Sequence, residues 1–210
     1  MRSITVAKNA GFCFGVTRAT RAVEAEIAKH IKGQRIYTLG KLIHNDTYNK
    51  RLSDAGVGVI EADEIRALAN TATSESPVKV FVRAHGITAE VEAILFECAA
   101  KNEHFSFEDC TCSFVKKIHK ITEENSDGEN LLLVLGSASH PEVVGFCSRF
   151  SGKKHIFQAS SEFESVVEQN KDDFDCAKCI ILVAQTTQNL GEWEKNKKTF
   201  EKGMYKPDNF

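Results

Sequence analysis

Short apolar runs alternate with stretches of helical spacing along almost the whole chain. Residues 4–7, 35–39, 57–60, 78–82, 131–135 and 180–184 are rich in β-branched and aliphatic side chains and predict strands. Being short and mostly uniformly apolar, they predict strands buried on both faces, as in a parallel sheet covered by helices. Between them Val16, Ala19, Val23 and Ile27 recur at helical spacing, as do Val91, Ile94, Leu95 and Cys98. Val115, Ile118 and Ile121, then Phe163, Val166 and Val167, repeat the pattern. The predicted class is α/β, with repeated small α/β domains and mainly parallel sheets.

No charge run or proline-rich hinge marks a boundary. One is placed near residue 112 because a strand-helix-strand set falls on either side, giving lobes over 1–112 and 113–210. After Leu190 and Trp193 apolar positions become sparse, so the last residues are expected to form a polar tail rather than a further strand.

Composition narrows the class. With 210 residues, 42% of them hydrophobic, the chain can bury a real core. A formal charge of -2 with interspersed signs gives no electrostatic footprint for nucleic acid. The start has no secretory pattern, and no apolar stretch is long enough to span a bilayer, so a soluble cytoplasmic protein with no membrane partner is expected. Seven cysteines form an odd set, which favours reduced thiols, some as metal ligands, over a disulfide framework.

Ligands of doubly wound sheets bind beyond the carboxyl ends of strands. Five predicted strand exits carry polar residues there: Cys13, His44, His85, His140, and Thr186 with Thr187. A single histidine after a strand is more often a helix cap, but three at equivalent places suit a diphosphate, which accepts hydrogen bonds from imidazole, hydroxyl and helix N-terminal groups. Glu142, just past Pro141, has two readings from sequence: an acid favoured by a helix dipole, or a proton donor whose pKa a closed pocket raises. His30, His104, His119 and His155 are expected to be structural or surface residues.

Among the cysteines, Cys98 and Cys147 sit among apolar neighbours and are expected in the core. Cys13, between Gly11 and Gly15, lies in a turn that backbone can bring close to a bulky group, and Cys112 opens a helix whose positive end suits a sulfur anion. Both are candidate cluster ligands. The Cys176/Cys179 pair could be a redox or zinc motif, but no second half accompanies it, and coincidence is the preferred reading.

The segments AGFCFGVTRA, LGKLIHN, RAHGIT, DCTCSFVKKIHK, HPEVVGF and AQTTQN occur in the order and approximate spacing of the 4-hydroxy-3-methylbut-2-enyl diphosphate reductases. The chain resembles that family from about residue 4 to about residue 190. The resemblance implies two of the three lobes of a trefoil built around a 4Fe-4S cluster. It implies Cys13 and Cys112 as two of three cluster cysteines, with Cys110 at a variable position. It also implies His44, His85 and His140 as diphosphate ligands, Glu142 as the proton-relay acid, and Thr186 as a substrate-binding hydroxyl.

The implied reaction is reductive dehydroxylation of the allylic diphosphate to isopentenyl and dimethylallyl diphosphate, with a ferredoxin or flavodoxin as donor. The family's third lobe, with the third cysteine and a serine/asparagine segment, is not found after Leu190, so this polypeptide alone is expected to have little activity. The N-terminal strand could belong to that lobe. Alternatives are a cluster-free diphosphate-binding fragment, an inactive remnant of the family, or a zinc or thiol-disulfide protein centred on Cys176 and Cys179.

Overall fold

Two parallel sheets organise the described residues of the computed structural model, which are 4–7 and 10–201. Each sheet belongs to its own compact unit: unit 1 runs to Ala84 and takes in Ile94–Cys112, while unit 2 comprises His85–Ala93 and the chain from Ser113.

In unit 1, α1 (Phe14–Ile27) leads to β1 (Arg35–Leu39), α2 (Asp46–Asp54), β2 (Gly58–Ile60), α3 (Ile65–Asn70) and β3 (Val78–Val82). Then α4 (Ala89–Lys101), whose part from Ile94 lies in this unit, leads to β4 (Phe105–Asp109). The strand order is β2-β1-β3-β4, and every pairing is parallel. The expected helical spacing of α1 buries Ala19 and Val23 completely, against Leu42, Ile43, Leu52 and Phe81. The Asn45 side chain caps α2 by accepting from the Tyr48 amide at 2.9 Å.

Unit 2 contains α5 (Ser113–Glu124), β5 (Leu131–Leu135), α6 (Pro141–Cys147), β6 (Lys153–Phe157), α7 (Ser160–Gln169), α8 (Lys171–Cys176), β7 (Ile180–Ala184) and α9 (Leu190–Glu201). The order is β6-β5-β7, again parallel throughout. Every residue of the central strand β5 is buried. Leu131, Leu133 and Leu135 face Phe157, Phe163 and Val167, while Leu132 and Val134 face Val143 and Phe146. This double-sided burial produces the uniformly apolar run.

The structure corrects the sequence reading in three places. Residues 4–7 join neither sheet, and Ile4 is 93% exposed, so the predicted first strand has no ladder among the described residues. Strands β4 and β6 were not predicted. Both lie at sheet edges, where FSFED and KKHIF mix polar with apolar residues. The expected polar tail begins instead as α9, which packs Trp193 and Phe200 on the unit 2 core and buries Asn196.

Candidate active site

Cys13 is the N-cap residue of α1 and is exposed, its carbonyl accepting from the Thr17 amide at 2.9 Å. Cys112 follows β4, and its amide donates to the Ala84 carbonyl at 2.9 Å; the Ala84 amide donates to the Leu42 carbonyl at 3.4 Å. The exits of β4, β3 and β1 are thereby laced together. This places the Cys112 thiol against the first turn of α1: a Cβ added to Gly15 would lie 2.6 Å from its Sγ. Only glycine leaves that room. The Arg18 guanidinium donates to the Thr111 carbonyl and fixes the same approach. Cys98 and Cys110, 6% and 2% exposed, are core residues, and burial pushes the Cys98 thiol up. His44 stands exposed on the loop after β1, one residue before the cap of α2.

In unit 2, three of the predicted residues, His85, His140 and Thr186, lie in three loops, and Glu142 lies in the first turn of α6. His85 and His140 meet edge to face, their ring centroids 5.6 Å apart. His140 caps α6: its Nδ1 takes the Glu142 amide at 3.2 Å. An amide only donates, so Nδ1 accepts and a neutral ring carries its proton on Nε2. Glu142 is 1% exposed and is held by the β7 exit, with the Thr186 amide donating to Oε1 at 2.7 Å and the Thr186 hydroxyl to Oε2 at 2.9 Å. Burial raises its pKa above the ordinary carboxyl value, and the two Thr186 bonds oppose the rise. Glu142 thus lies in the first turn of α6 and is a desolvated acid.

His85 is positioned by its own segment. Arg149, nearly buried, donates to Glu92 at 2.8 Å and to the Ile87 carbonyl at 3.4 Å, while the Ser148 hydroxyl accepts from the Ala89 amide at 2.9 Å.

Sequence reasoning missed Gln185. Its Oε1 accepts from the Ser137 amide at 3.2 Å and its Nε2 donates to the Thr187 hydroxyl at 2.7 Å, strapping the β5 exit to the β7 exit. A Cβ at Gly136 would fit tightly, 3.0 Å from Gln185 and 3.1 Å from Val143, so these neighbours would have to give by a few tenths of an ångström. The amide side chain in AQTTQ was the only signal.

Cys147 packs beside the unit 2 core, and burial pushes its thiol to about 11. Cys176 and Cys179 are exposed immediately before β7, and the Cys179 carbonyl starts the sheet by accepting from the Leu131 amide. His155 pairs with Asp173 at 2.9 Å, away from the strand exits.

Residues 4–209 match the family model described as LytB protein. The chain belongs to the LytB family. A 4-hydroxy-3-methylbut-2-enyl diphosphate reductase of Caldanaerobacter subterraneus is 34% identical to this LytB chain over 191 residues, which are 91% of the chain and 59% of the relative. The reductase of Clostridioides difficile is 33% identical over 187 residues, 89% of the chain and 60% of the relative. A third, of Clostridium acetobutylicum, is 33% identical, and 27% of its length is covered. The chain therefore spans only part of these relatives.

A solved structure of (E)-4-hydroxy-3-methyl-but-2-enyl diphosphate reductase superposes with a TM-score of 0.66 at 28% identity, covering 94% of this chain and 63% of the other. The expected α/β class with parallel sheets thus agrees with the solved LytB fold. No helix among the described residues is long and apolar enough to cross a membrane.

Proposed function

We propose that this LytB chain holds the diphosphate and supplies a proton in the reductive dehydroxylation of 4-hydroxy-3-methylbut-2-enyl diphosphate to isopentenyl and dimethylallyl diphosphate. The carrying observation is Glu142, a buried carboxyl whose two oxygens are fixed by Thr186 beside the His85/His140 pair.

In this reaction the allylic C–O bond breaks, an electron pair enters, the hydroxyl leaves as water with one proton, and the allylic carbon takes a second. Glu142 holds the first proton: its raised pKa keeps it protonated at a higher pH than an exposed acid, ready for the leaving oxygen. Thr186 keeps that carboxyl oriented. His44, His85 and His140 bind the diphosphate, with His140 donating from Nε2 because Nδ1 is engaged by its own helix.

Cys13 and Cys112 fit two sulfur ligands of a 4Fe-4S cluster, since Gly15 clears space at the Cys112 thiol beside the Cys13 helix end. Cys98 and Cys110 are packed in the core, so the third ligand comes from outside the described residues of unit 1. When bound, the cluster supplies the electrons and an iron that polarises the hydroxyl. The donor to it is a ferredoxin or flavodoxin in the cytoplasm.

The test is anaerobic reconstitution with iron and sulfide, followed by substrate-dependent oxidation of a reduced viologen, on this chain and on a version extended to its relatives' length. Iron uptake and a broad visible band that are lost in C13S and C112S support the reading. So does turnover that falls roughly 10²–10⁴-fold in E142Q with iron retained. A colourless extended protein, or full turnover in E142Q, rejects it.

A further inference from the structure

A buried acid is held from an exposed turn. Glu142 is 1% exposed, yet Thr186, which engages both of its oxygens, lies at the surface after β7, followed by the exposed Thr187. A loop residue keeps two bonds to a carboxylate only if its own backbone is fixed, because each free dihedral would spread the donors over many positions. The fixing groups belong to its neighbours.

Residues 185–188 form a turn closed by the Gln188 amide, which donates to the Gln185 carbonyl at 2.9 Å. The Gln185 side chain closes the same turn a second time, its Nε2 donating to the Thr187 hydroxyl at 2.7 Å. Thr186 sits inside both closures. Gln185 also ties the turn to the neighbouring strand: its amide donates to the Leu135 carbonyl at 2.9 Å, and its Oε1 accepts from the Ser137 amide at 3.2 Å. At the far end, the Gln188 Nε2 donates to the Gln158 carbonyl, just past β6, at 2.8 Å. The exits of β5, β6 and β7 are laced through this one turn.

Ser137 carries the brace further. Its carbonyl accepts from the His140 amide at 3.0 Å, and His140 caps the helix that bears Glu142. A single amide side chain therefore reaches both the turn of Thr186 and the loop of His140. The chemistry is exacting, since the Ser137 amide needs an acceptor and the Thr187 hydroxyl here takes a donor. Asparagine is one methylene shorter, and glutamate offers acceptors only and adds a charge.

We propose that Gln185 is the positioning residue of this acid: bridging Ser137 and Thr187, it holds Thr186 against both oxygens of Glu142 and keeps the His140 loop in register with them. It acts through those residues rather than on reacting atoms, and its role rests on the reading of Glu142 as the proton-holding acid.

The test is made on the whole chain without cluster. Gln185→Leu keeps the volume, removes both side-chain bonds and should speed exchange of the Thr186 amide about tenfold or more, while Leu133 at the sheet centre keeps its rate. Followed by infrared spectroscopy, the Glu142 carboxyl should titrate about half a pH unit or more higher, because the Thr186 bonds that favour its ionised form loosen. Thr187→Val should move both readouts the same way by less, and Thr187→Ser should match wild type. In the Gln185→Leu background Thr187→Val should add nothing, since the pair shares one bond.

Thr186 exchange and Glu142 titration that stay unmoved in Gln185→Leu overturn the proposal. So does exchange that quickens equally at Leu133, which reports lost stability rather than lost position, and so does an added effect of Thr187→Val in the double variant. Neither readout needs cluster or substrate, so full turnover in E142Q would reject the reaction and leave both measurements standing.

Discussion

Thr186 grips both carboxylate oxygens of Glu142, one through its backbone amide and one through its hydroxyl. The two residues come from the exits of β5 and β7, which are direct neighbours in the sheet, so strand pairing itself sets the geometry of the acid. Both bonds favour the ionised carboxyl against its burial. Thr186→Val removes one of them, so the Glu142 pKa should rise further. Infrared titration of the carboxyl stretch, with Glu142→Gln as the blank, measures the change. The variant should also lose about 1–3 kcal/mol in urea unfolding at neutral pH, because a buried oxygen loses its donor.

The pH dependence of stability carries the sign of the same carboxyl. A folded-state pKa raised by burial stabilises the fold below the ordinary carboxyl value, and that contribution is lost as pH rises through the folded pKa. Wild type should therefore lose stability relative to Glu142→Gln between acidic and neutral pH. Parallel urea titrations across that range read the difference; a constant gap would contradict the raised pKa.

Glu192 predicts the opposite slope. It accepts from the Ser160 hydroxyl at 2.6 Å and the Ser160 amide at 2.7 Å, and with Lys195 beside it these hold its carboxyl at about 2. A lowered folded pKa stabilises above the ordinary carboxyl value and fades as pH falls toward the folded one. Glu192→Gln should melt below wild type at neutral pH, and the two curves should converge near pH 2.

Gly15→Ala would put a methyl 2.6 Å from the Cys112 Sγ. Alanine is a good helix former, so the expected damage is displacement of the thiol rather than loss of α1. Iron bound per chain after reconstitution should drop towards that of C112S, with a stability cost of about 1–3 kcal/mol.

Glu92→Ala leaves the nearly buried Arg149 without its carboxylate. A destabilisation on the order of 1–3 kcal/mol follows, together with faster amide exchange over residues 87–93, the segment that carries His85.

Legibility from sequence followed burial. The interior strands β1, β3 and β5 announce themselves because both faces are covered, and β7 because its residues stay aliphatic even at an edge. The edge strands β4 and β6 carry Ser106, Glu108, Lys153 and Lys154, which break any apolar run. Helix α9 hid because much of its inward face is supplied by the widely spaced Trp193 and Phe200 and by the buried amide of Asn196.

Strand exits located the three histidines and Thr186, since a parallel sheet delivers all its carboxyl ends to one edge, whereas Cys13 follows no strand among the described residues. Which residues touch was not legible. The Glu142–Thr186 pair spans 44 positions, and the Gln185 strap to Ser137 spans 48; both exist only because β5 and β7 are adjacent. The room Gly15 leaves for Cys112 likewise depends on β4 ending beside α1, and β4 itself went unread.

The matching strand orders of the two units also bear on origin. His44 leaves the first strand of its sheet and His140 the first strand of the other; His85 leaves one third strand and Thr186 the other. A lobe copied within an ancestral gene would hand each descendant the same imidazole position after its opening strand. The position after the third strand differs, a ring in one unit and a hydroxyl in the other.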